Sequence, residues 1–106
     1  MFKKRVFREA KVPFATEFTR AGYSYIQLDR TKDVAVYLYK DKDGKDSGYE
    51  VVKFYIDPKG VEVYPGSSMW GTAGWTYRAD GFEPLSKASD KMHEVQAIQD
   101  KKYSDQ

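Results

Sequence analysis

Three stretches of this chain alternate between apolar residues and tyrosines, and this alternation constrains the fold more than any other feature. Side chains of a β-strand point alternately to the two faces of a sheet, so the pattern predicts a sheet with an apolar face and a tyrosine face. The apolar set is Ile26, Leu28, Val34, Val36, Leu38, Val52, Phe54 and Ile56. The tyrosine set is Tyr23, Tyr25, Tyr37, Tyr39, Tyr49 and Tyr55. What lies against the tyrosine face is therefore the question on which function depends.

Turn signals divide the chain into consecutive antiparallel strands. A polar link at residues 30–33 has the length of a hairpin loop. Asp43-Gly44 suits the left-handed backbone of a tight turn, and Asp57-Pro58-Lys59-Gly60 has Pro and Gly where a β-turn favours them. The predicted strands form a meander of residues 23–29, 34–40, 49–56 and 61–64, with a short fifth strand at 75–78.

The periodicity changes after Gly81. Leu85, Ala88, Met92 and Val95 recur at helical spacing, which predicts an amphipathic helix. Pro84 suits its first turn, where the missing N–H is not needed. We therefore predict an α+β fold, in which an antiparallel sheet of four to five strands is packed on its apolar face by one C-terminal helix, Pro84 to Gln99.

A chain of 106 residues is long enough for one domain with its own core. Its predicted parts are a basic N-terminal arm or short helix at 1–20, the sheet at 23–78, the helix at 84–99 and a disordered tail at 100–106. Residues 1–20 carry a net charge of +4, and the remainder of the chain carries −2. Such an arm can attract an acidic partner or simply keep the terminus solvated.

The N-terminal segment allows two local structures. Phe2, Val6 and Ala10 share one face of a helix, whereas Phe14 to Phe18 alternates as in a strand. We favour a short helix that ends before Pro13. This segment is the candidate for covering the tyrosine face.

The composition excludes several classes of function. The chain has no cysteine, so it has no disulfide, thiolate metal site or catalytic thiol. No apolar run approaches the roughly 20 residues that span a bilayer, and the basic N-terminus lacks the apolar stretch of a signal peptide. We therefore expect a cytoplasmic protein that does not contact a membrane.

No catalytic or metal-binding motif is present. The acidic loop matches a calcium-binding loop at Asp41, Asp43 and Glu50, but Tyr39 stands where the first carboxylate is required. His93 is the only histidine and has no partner for a metal or nucleophile set, so we interpret it as a surface residue. No acid stands in an apolar context that would raise its pKa. We predict no enzymatic activity, no metal and no cofactor.

The tyrosine face leaves three interpretations open. The N-terminal segment or a second subunit can bury the rings. If the rings are uncovered, they can bind a protein, and the predicted contact residues are Tyr25, Tyr37, Tyr39, Tyr55, Met69 and Trp70. Alternatively, the same rings can stack nucleic-acid bases while basic side chains follow the phosphates. The basic residues of that alternative are Lys3, Lys4, Arg5, Arg8 and Lys53.

Met69 and Trp70 lie in a glycine-rich loop, residues 65–74. Trp70 can fold down onto the core, or it can be an exposed anchor of the kind that dominates interfaces. Our working hypothesis uses it as an anchor.

A wider pattern of motifs resembles a family of small uncharacterised phage proteins. The matching segments are Tyr49-Glu50-Val51-Val52-Lys53, Tyr64-Pro65-Gly66-Ser67-Ser68, Trp70-Gly71 and Gly74-Trp75-Thr76-Tyr77-Arg78, followed by a helix. The resemblance spans roughly residues 34–95. The N-terminal arm lies outside it, and a usual insertion is shortened here to residues 57–60. The resemblance implies a phage-encoded accessory protein that binds a host protein in the bacterial cytoplasm, and it brings no catalytic residues.

Overall fold

The computed structural model describes residues 10–80 and 82–103. Within them the chain forms seven strands, a short 3₁₀-helix and one α-helix. In chain order these elements are β1 (Glu17–Arg20), β2 (Tyr23–Arg30), β3 (Val34–Lys40), β4 (Asp46–Lys53), β5 (Tyr55–Ile56), β6 (Glu62–Val63), the 3₁₀-helix (Ser67–Met69), β7 (Gly74–Arg78) and α1 (Phe82–Tyr103).

One antiparallel sheet organises the fold. It contains five strands in the order β1-β2-β3-β4-β7, and β5 and β6 pair in a separate hairpin. The helix α1 packs on one face of the five-stranded sheet. The predicted α+β class, with an antiparallel sheet and one C-terminal helix, is confirmed.

The predicted turns are present. The N–H of Thr31 donates to the carbonyl of Val34 at 2.7 Å and closes the link between β2 and β3. Gly44 and Gly60 have positive φ angles of 81° and 85°, which is the left-handed conformation that their turns require. Asp57 Oδ1 accepts two backbone N–H groups of the second turn. Local turn chemistry therefore fixes where the strands end.

The fourth strand of the predicted meander folds back on the third only at the end of the predicted range, where Val63 and Glu62 pair with Tyr55 and Ile56. Residues 61–64 do not extend the sheet, because β7 occupies the edge of β4 and Ala73 accepts the N–H of Lys53 at 2.8 Å. The N–H of Phe54 donates to the carbonyl of Asp33, so the chain leaves the sheet there. The hairpin β5–β6 that follows lies apart from the ladder.

The two faces also differ from the prediction in the third stretch. Tyr49 pairs with Leu38 across the ladder, and directly opposed residues share a face. Tyr49 therefore packs on the helix side, while Val52 and Phe54 are buried with Tyr37 on the tyrosine side. The assignment of Tyr49 to the tyrosine face, and of Val52 and Phe54 to the apolar face, was wrong.

The helix covers the apolar face as predicted and is longer than predicted. Ala88, Met92 and Val95 pack against valines of β3 and β4. The helix runs to Tyr103, so residues 100–103 are helical rather than part of a tail, and residues 104–106 lie outside the described residues. In the part of the chain that the structure describes, no helix is both long and apolar enough to cross a membrane.

The N-terminal segment crosses the tyrosine face. Residues 10–16 contain no helix, Val12 forms a parallel bridge with Val61, and the segment then enters β1 at the edge of the sheet. Residues 1–9, and with them most of the predicted helix, lie outside the described residues. Of the open interpretations, the structure supports the one in which this segment covers the rings.

Candidate functional site at one end of an aromatic core

The face of the sheet opposite α1 carries a second core made mainly of aromatic rings. We call this set the aromatic core: Phe14, Phe18, Tyr25, Tyr37, Tyr39, Phe54, Tyr64 and Trp70. The rings come from the N-terminal segment, the sheet, the end of β4 and the loop around the 3₁₀-helix. They meet mostly edge to face, for example Phe14 on Phe18 with centroids 5.1 Å apart, which is a favourable arrangement for aromatic pairs.

Tyr37 lies at the centre of this core and is fully buried, with 0% of its surface exposed. Its hydroxyl donates to the carbonyl of Ala15 at 2.7 Å and accepts from Gln27 Nε2 at 3.0 Å. Burial raises the pKa of Tyr37. A buried phenol with both hydrogen bonds made is a structural group.

Tyr25 is also buried, with 6% exposed. Its ring stacks on Phe18, with centroids 4.5 Å apart and planes within 3°, and it stacks on Tyr39 on the other side at 5.6 Å. Tyr25 and Tyr37 therefore offer no free face to a protein or a base, and the expectation of an uncovered face was wrong at both positions. Phe18 contacts both rings, and the alternating pattern from Phe14 to Phe18 was the signal in the sequence for a covering strand.

The aromatic core reaches solvent at one end. We call the four side chains there the rim: Arg20, Tyr23, Tyr39 and Trp70. Tyr23 is 38% exposed and meets Tyr39 edge to face at 5.7 Å. The guanidinium carbon of Arg20 lies 4.9 Å from the Tyr64 ring centroid, and Trp70 lies 6.3 Å from the same ring.

The rim is held by close backbone contacts. A Cβ at Gly48 would lie 2.6 Å from the Tyr39 hydroxyl, so the tyrosine rests directly on the backbone of β4. A Cβ at Gly74 would collide with the six-membered ring of Trp70. Both rings therefore depend on a neighbouring glycine, and both are partly exposed. Trp70 is folded down onto the core and still presents part of its surface.

Glu50 is a buried acid beside the rim. It is 9% exposed, and its carboxylate accepts the hydroxyl of Tyr64 at 2.5 Å. Burial raises the pKa of Glu50, while the Tyr64 hydrogen bond and the charge of Arg20 oppose that rise. Burial, together with Glu50, also raises the pKa of Tyr64. The expectation that no acid stands in an apolar context was therefore wrong. The sequence analysis did not identify Glu50 as a buried acid, because its burial follows from its position opposite Tyr37 in the pairing of β3 with β4.

A second buried acid fastens the cover of the aromatic core. Glu62 makes a two-pronged ion pair with Arg30, with both N–O distances at 2.9 Å. The same carboxylate accepts the N–H of Phe14 at 2.8 Å. Arg30 also lies over the Phe54 ring at 5.0 Å. This network ties the N-terminal segment and the β5–β6 hairpin to the end of β2.

The remaining predicted site residues are not members of the rim, and some lie outside the described residues. Tyr55 is 40% exposed on β5 and is not a member of the aromatic core. Met69 is partly exposed beside Trp70, and Lys53 is partly exposed at the end of β4. Lys3, Lys4, Arg5 and Arg8 lie outside the described residues.

Little in the described residues suggests metal or nucleophile chemistry. His93 is exposed on α1, as predicted. Within residues 10–80 and 82–103, no group of three or more His, Asp or Glu side chains is placed to hold a metal ion.

Comparison of the chain with protein-family models, with curated proteins and with solved structures found no significant match.

Proposed function

We propose that this chain is a non-enzymatic protein-binding domain and that the rim is its contact surface. The observation that carries the proposal is that three aromatic side chains and one arginine meet at a partly exposed point of an otherwise buried core. Trp, Tyr and Arg are the residues that most often dominate binding energy at interfaces.

The support beneath the rim favours binding. Tyr39 stacks on Tyr25, and Trp70 packs on Tyr64, so both rings are already ordered before a partner arrives. A side chain that is ordered in advance loses less conformational entropy on association. Arg20 adds a positive charge to the surface, which suits a partner that presents an acidic side chain beside apolar ones.

The phage resemblance gives the proposal its biological setting. A phage-encoded accessory protein acts in the cytoplasm of a bacterial host, and its partner is a host protein. This setting remains part of the proposal.

The nucleic-acid alternative has less support. Tyr25 and Tyr37, two of the rings expected to stack nucleic-acid bases, are buried. Base stacking needs an accessible ring face, and the exposed ring of Tyr55 lies apart from the rim. We therefore treat nucleic-acid binding as a control in the experiment.

Affinity capture from a bacterial lysate tests the proposal. The tagged full chain should retain a protein, and Tyr23→Ser and Arg20→Glu should each lose it. Tyr55→Ser is the matched control, because Tyr55 and Tyr23 are equally exposed, at 40% and 38%, and only Tyr23 belongs to the rim. If the wild type and the three variants retain the partner equally, the rim is not the contact surface.

A salt titration separates the two kinds of partner. Binding of single-stranded or duplex oligonucleotides should fall steeply with salt, because counterion release drives it. Oligonucleotide binding at low salt that Tyr23→Ser leaves unchanged would favour the nucleic-acid alternative instead.

A further inference from the structure

The helix side of the sheet is only partly covered. Helix α1 packs mainly on β3, β4 and β7, so within residues 10–80 and 82–103 no helix packs mainly on β1 or β2. On β2, Leu28 is 45% exposed, and Ile26 is partly exposed. Leu28 lies at the irregular step between Gln27 and Asp29 in the pairing of β2 with β3, and its exposure beside a packed helix leaves apolar surface for another molecule.

Four apolar side chains form a continuous surface there, which we call the open strip: Ile26, Leu28, Leu38 and Leu85. Ile26 and Leu38 pair across β2 and β3 and so share the helix face. Leu28 and Leu85 line a cavity of about 370 Å³ together with Asp29, Val36 and Ser89. The strip therefore runs along β2 and ends against the side of α1.

The dimensions of the open strip fit a helix. Strands of a sheet lie about 4.8 Å apart, and β2 is two strands from β4, which lies between β3 and β7 under α1. Packed helices lie about 8–10 Å apart. A helix placed beside α1 would therefore lie directly over β2, with its apolar side chains on Leu28 and Ile26.

The charges at the edge of the strip are negative. Glu17 pairs with Ile26 across β1 and β2, and both Glu17 and Asp29 are exposed. Within the described residues neither forms an ion pair, whereas Lys40 on the same face pairs with Asp46 at 3.8 Å. A bound helix would gain from basic residues beside its apolar stripe.

A second copy of the described chain does not supply such a helix. Helix α1 carries four acidic side chains, at 83, 90, 94 and 100, and four lysines, at 87, 91, 101 and 102, and two of those lysines pair with Glu83 and Glu94. Docking α1 of another copy would therefore bring no net positive charge to Glu17 and Asp29. A helix with an excess of basic residues, from a different protein, complements them better.

We infer that the open strip binds an amphipathic helix of a partner protein, with basic residues flanking its apolar stripe. This surface lies on the opposite face of the sheet from the rim, so the inference does not depend on the proposed function. A variant that loses binding at the rim can still bind a helix at the open strip, and the reverse also holds.

Two synthetic helical peptides test the inference on the full chain. They share one stripe of leucines and differ only in the flanking residues, which are Lys in one and Glu in the other. We expect the Lys-flanked peptide to bind at least tenfold more tightly in fluorescence anisotropy at low salt. The double variant Glu17→Lys/Asp29→Lys should reverse this preference, because it reverses the charge beside the strip.

Leu28→Ser should weaken binding of the Lys-flanked peptide at least tenfold. Leu28 is substantially exposed, so the variant should fold, and circular dichroism checks this. Tyr23→Ser, on the rim, should leave the peptide affinity unchanged. Equal affinity for both peptides, no binding of either, or binding that survives Leu28→Ser would each overturn the inference. Self-association of the wild type that Leu28→Ser abolishes would also overturn it, because the occupant would then be a second copy.

Discussion

The hydroxyl of Tyr37 donates a 2.7 Å hydrogen bond to the backbone carbonyl of Ala15, and this bond joins the centre of the sheet to the segment that covers it. Tyr37→Phe removes that donor and also the acceptor for Gln27 Nε2. We expect the free energy of unfolding to fall by about 1–2 kcal/mol, since each lost hydrogen bond costs about 1 kcal/mol. Urea denaturation measures this change.

Tyr23→Phe is the control for that measurement. Tyr23 is on the rim and exposed, so loss of its hydroxyl should change the free energy of unfolding by less than about 0.5 kcal/mol. Equal stability of the two variants would mean that the Tyr37 bond does not hold the covering segment.

The elements of the fold could be predicted from the sequence because their signals are local. The period of α1 and the turns at Gly44 and Gly60 each depend on a few neighbouring residues. The sequence did not predict which face of the sheet each side chain of the third stretch, residues 49–56, lies on. A shift of one residue in strand pairing moves every side chain to the other face. The register that places Tyr49 opposite Leu38 is set by pairing between strands, which periodicity along one strand does not contain.

The site was predicted less well for a related reason. The aromatic residues that form the aromatic core could be identified, but which of them reach solvent depends on the path of residues 10–18 across the sheet. Tyr25 and Tyr37 lie against Phe18, whereas Tyr39 stays partly exposed. The burial of Glu50 likewise requires Tyr64, which arrives from a distant part of the chain.

The ion pair between Arg30 and Glu62 should matter more for stability than an ion pair on the surface. Glu62→Gln removes the charge from a side chain that is 4% exposed and leaves Arg30 without its partner. Breaking a buried pair costs about 3–5 kcal/mol. We expect about 2–3 kcal/mol here, because Arg30 is 25% exposed.

Glu83→Gln is the matched control, because Glu83 and Lys87 form an exposed pair on α1 with 78% and 63% of their side chains exposed. It should cost less than about 0.5 kcal/mol. Hydrogen exchange of the Phe14 amide gives a second readout, because that amide donates to Glu62. Unchanged exchange in Glu62→Gln would show that the carboxylate does not hold the N-terminal segment.

Gly74→Ala should displace Trp70 from the aromatic core. The new Cβ would occupy the space of the indole ring, and overpacking of this kind costs about 1–3 kcal/mol. Gly66→Ala is the control, since a Cβ there meets nothing within 4 Å. Tryptophan fluorescence should shift towards longer wavelength only in Gly74→Ala. In the background of Trp70→Leu, Gly74→Ala should cost less, and an equal cost in both backgrounds would contradict the contact.

Glu50 should make stability depend on pH in a direction opposite to that of a salt-bridged acid. Burial raises the pKa of Glu50 in the folded state, so at a pH between the unfolded and folded pKa values the folded chain keeps a proton that the unfolded chain has released. The free energy of unfolding then falls as the pH rises through that window.

Glu50→Gln has no charge to titrate, and its amide oxygen can still accept the Tyr64 hydroxyl. From about pH 4 to about pH 7, the wild type should lose stability relative to Glu50→Gln by about 1.4 kcal/mol for each unit by which the pKa is raised. Tyr64→Phe should increase the total loss, because it removes a hydrogen bond that lowers the pKa of Glu50 and so widens the pH window. Glu83→Gln is the control, because it shows how much of the change in stability comes from removing one negative charge alone. If the free energies of unfolding of the wild type and Glu50→Gln change in parallel across this pH range, Glu50 is not buried in the way described.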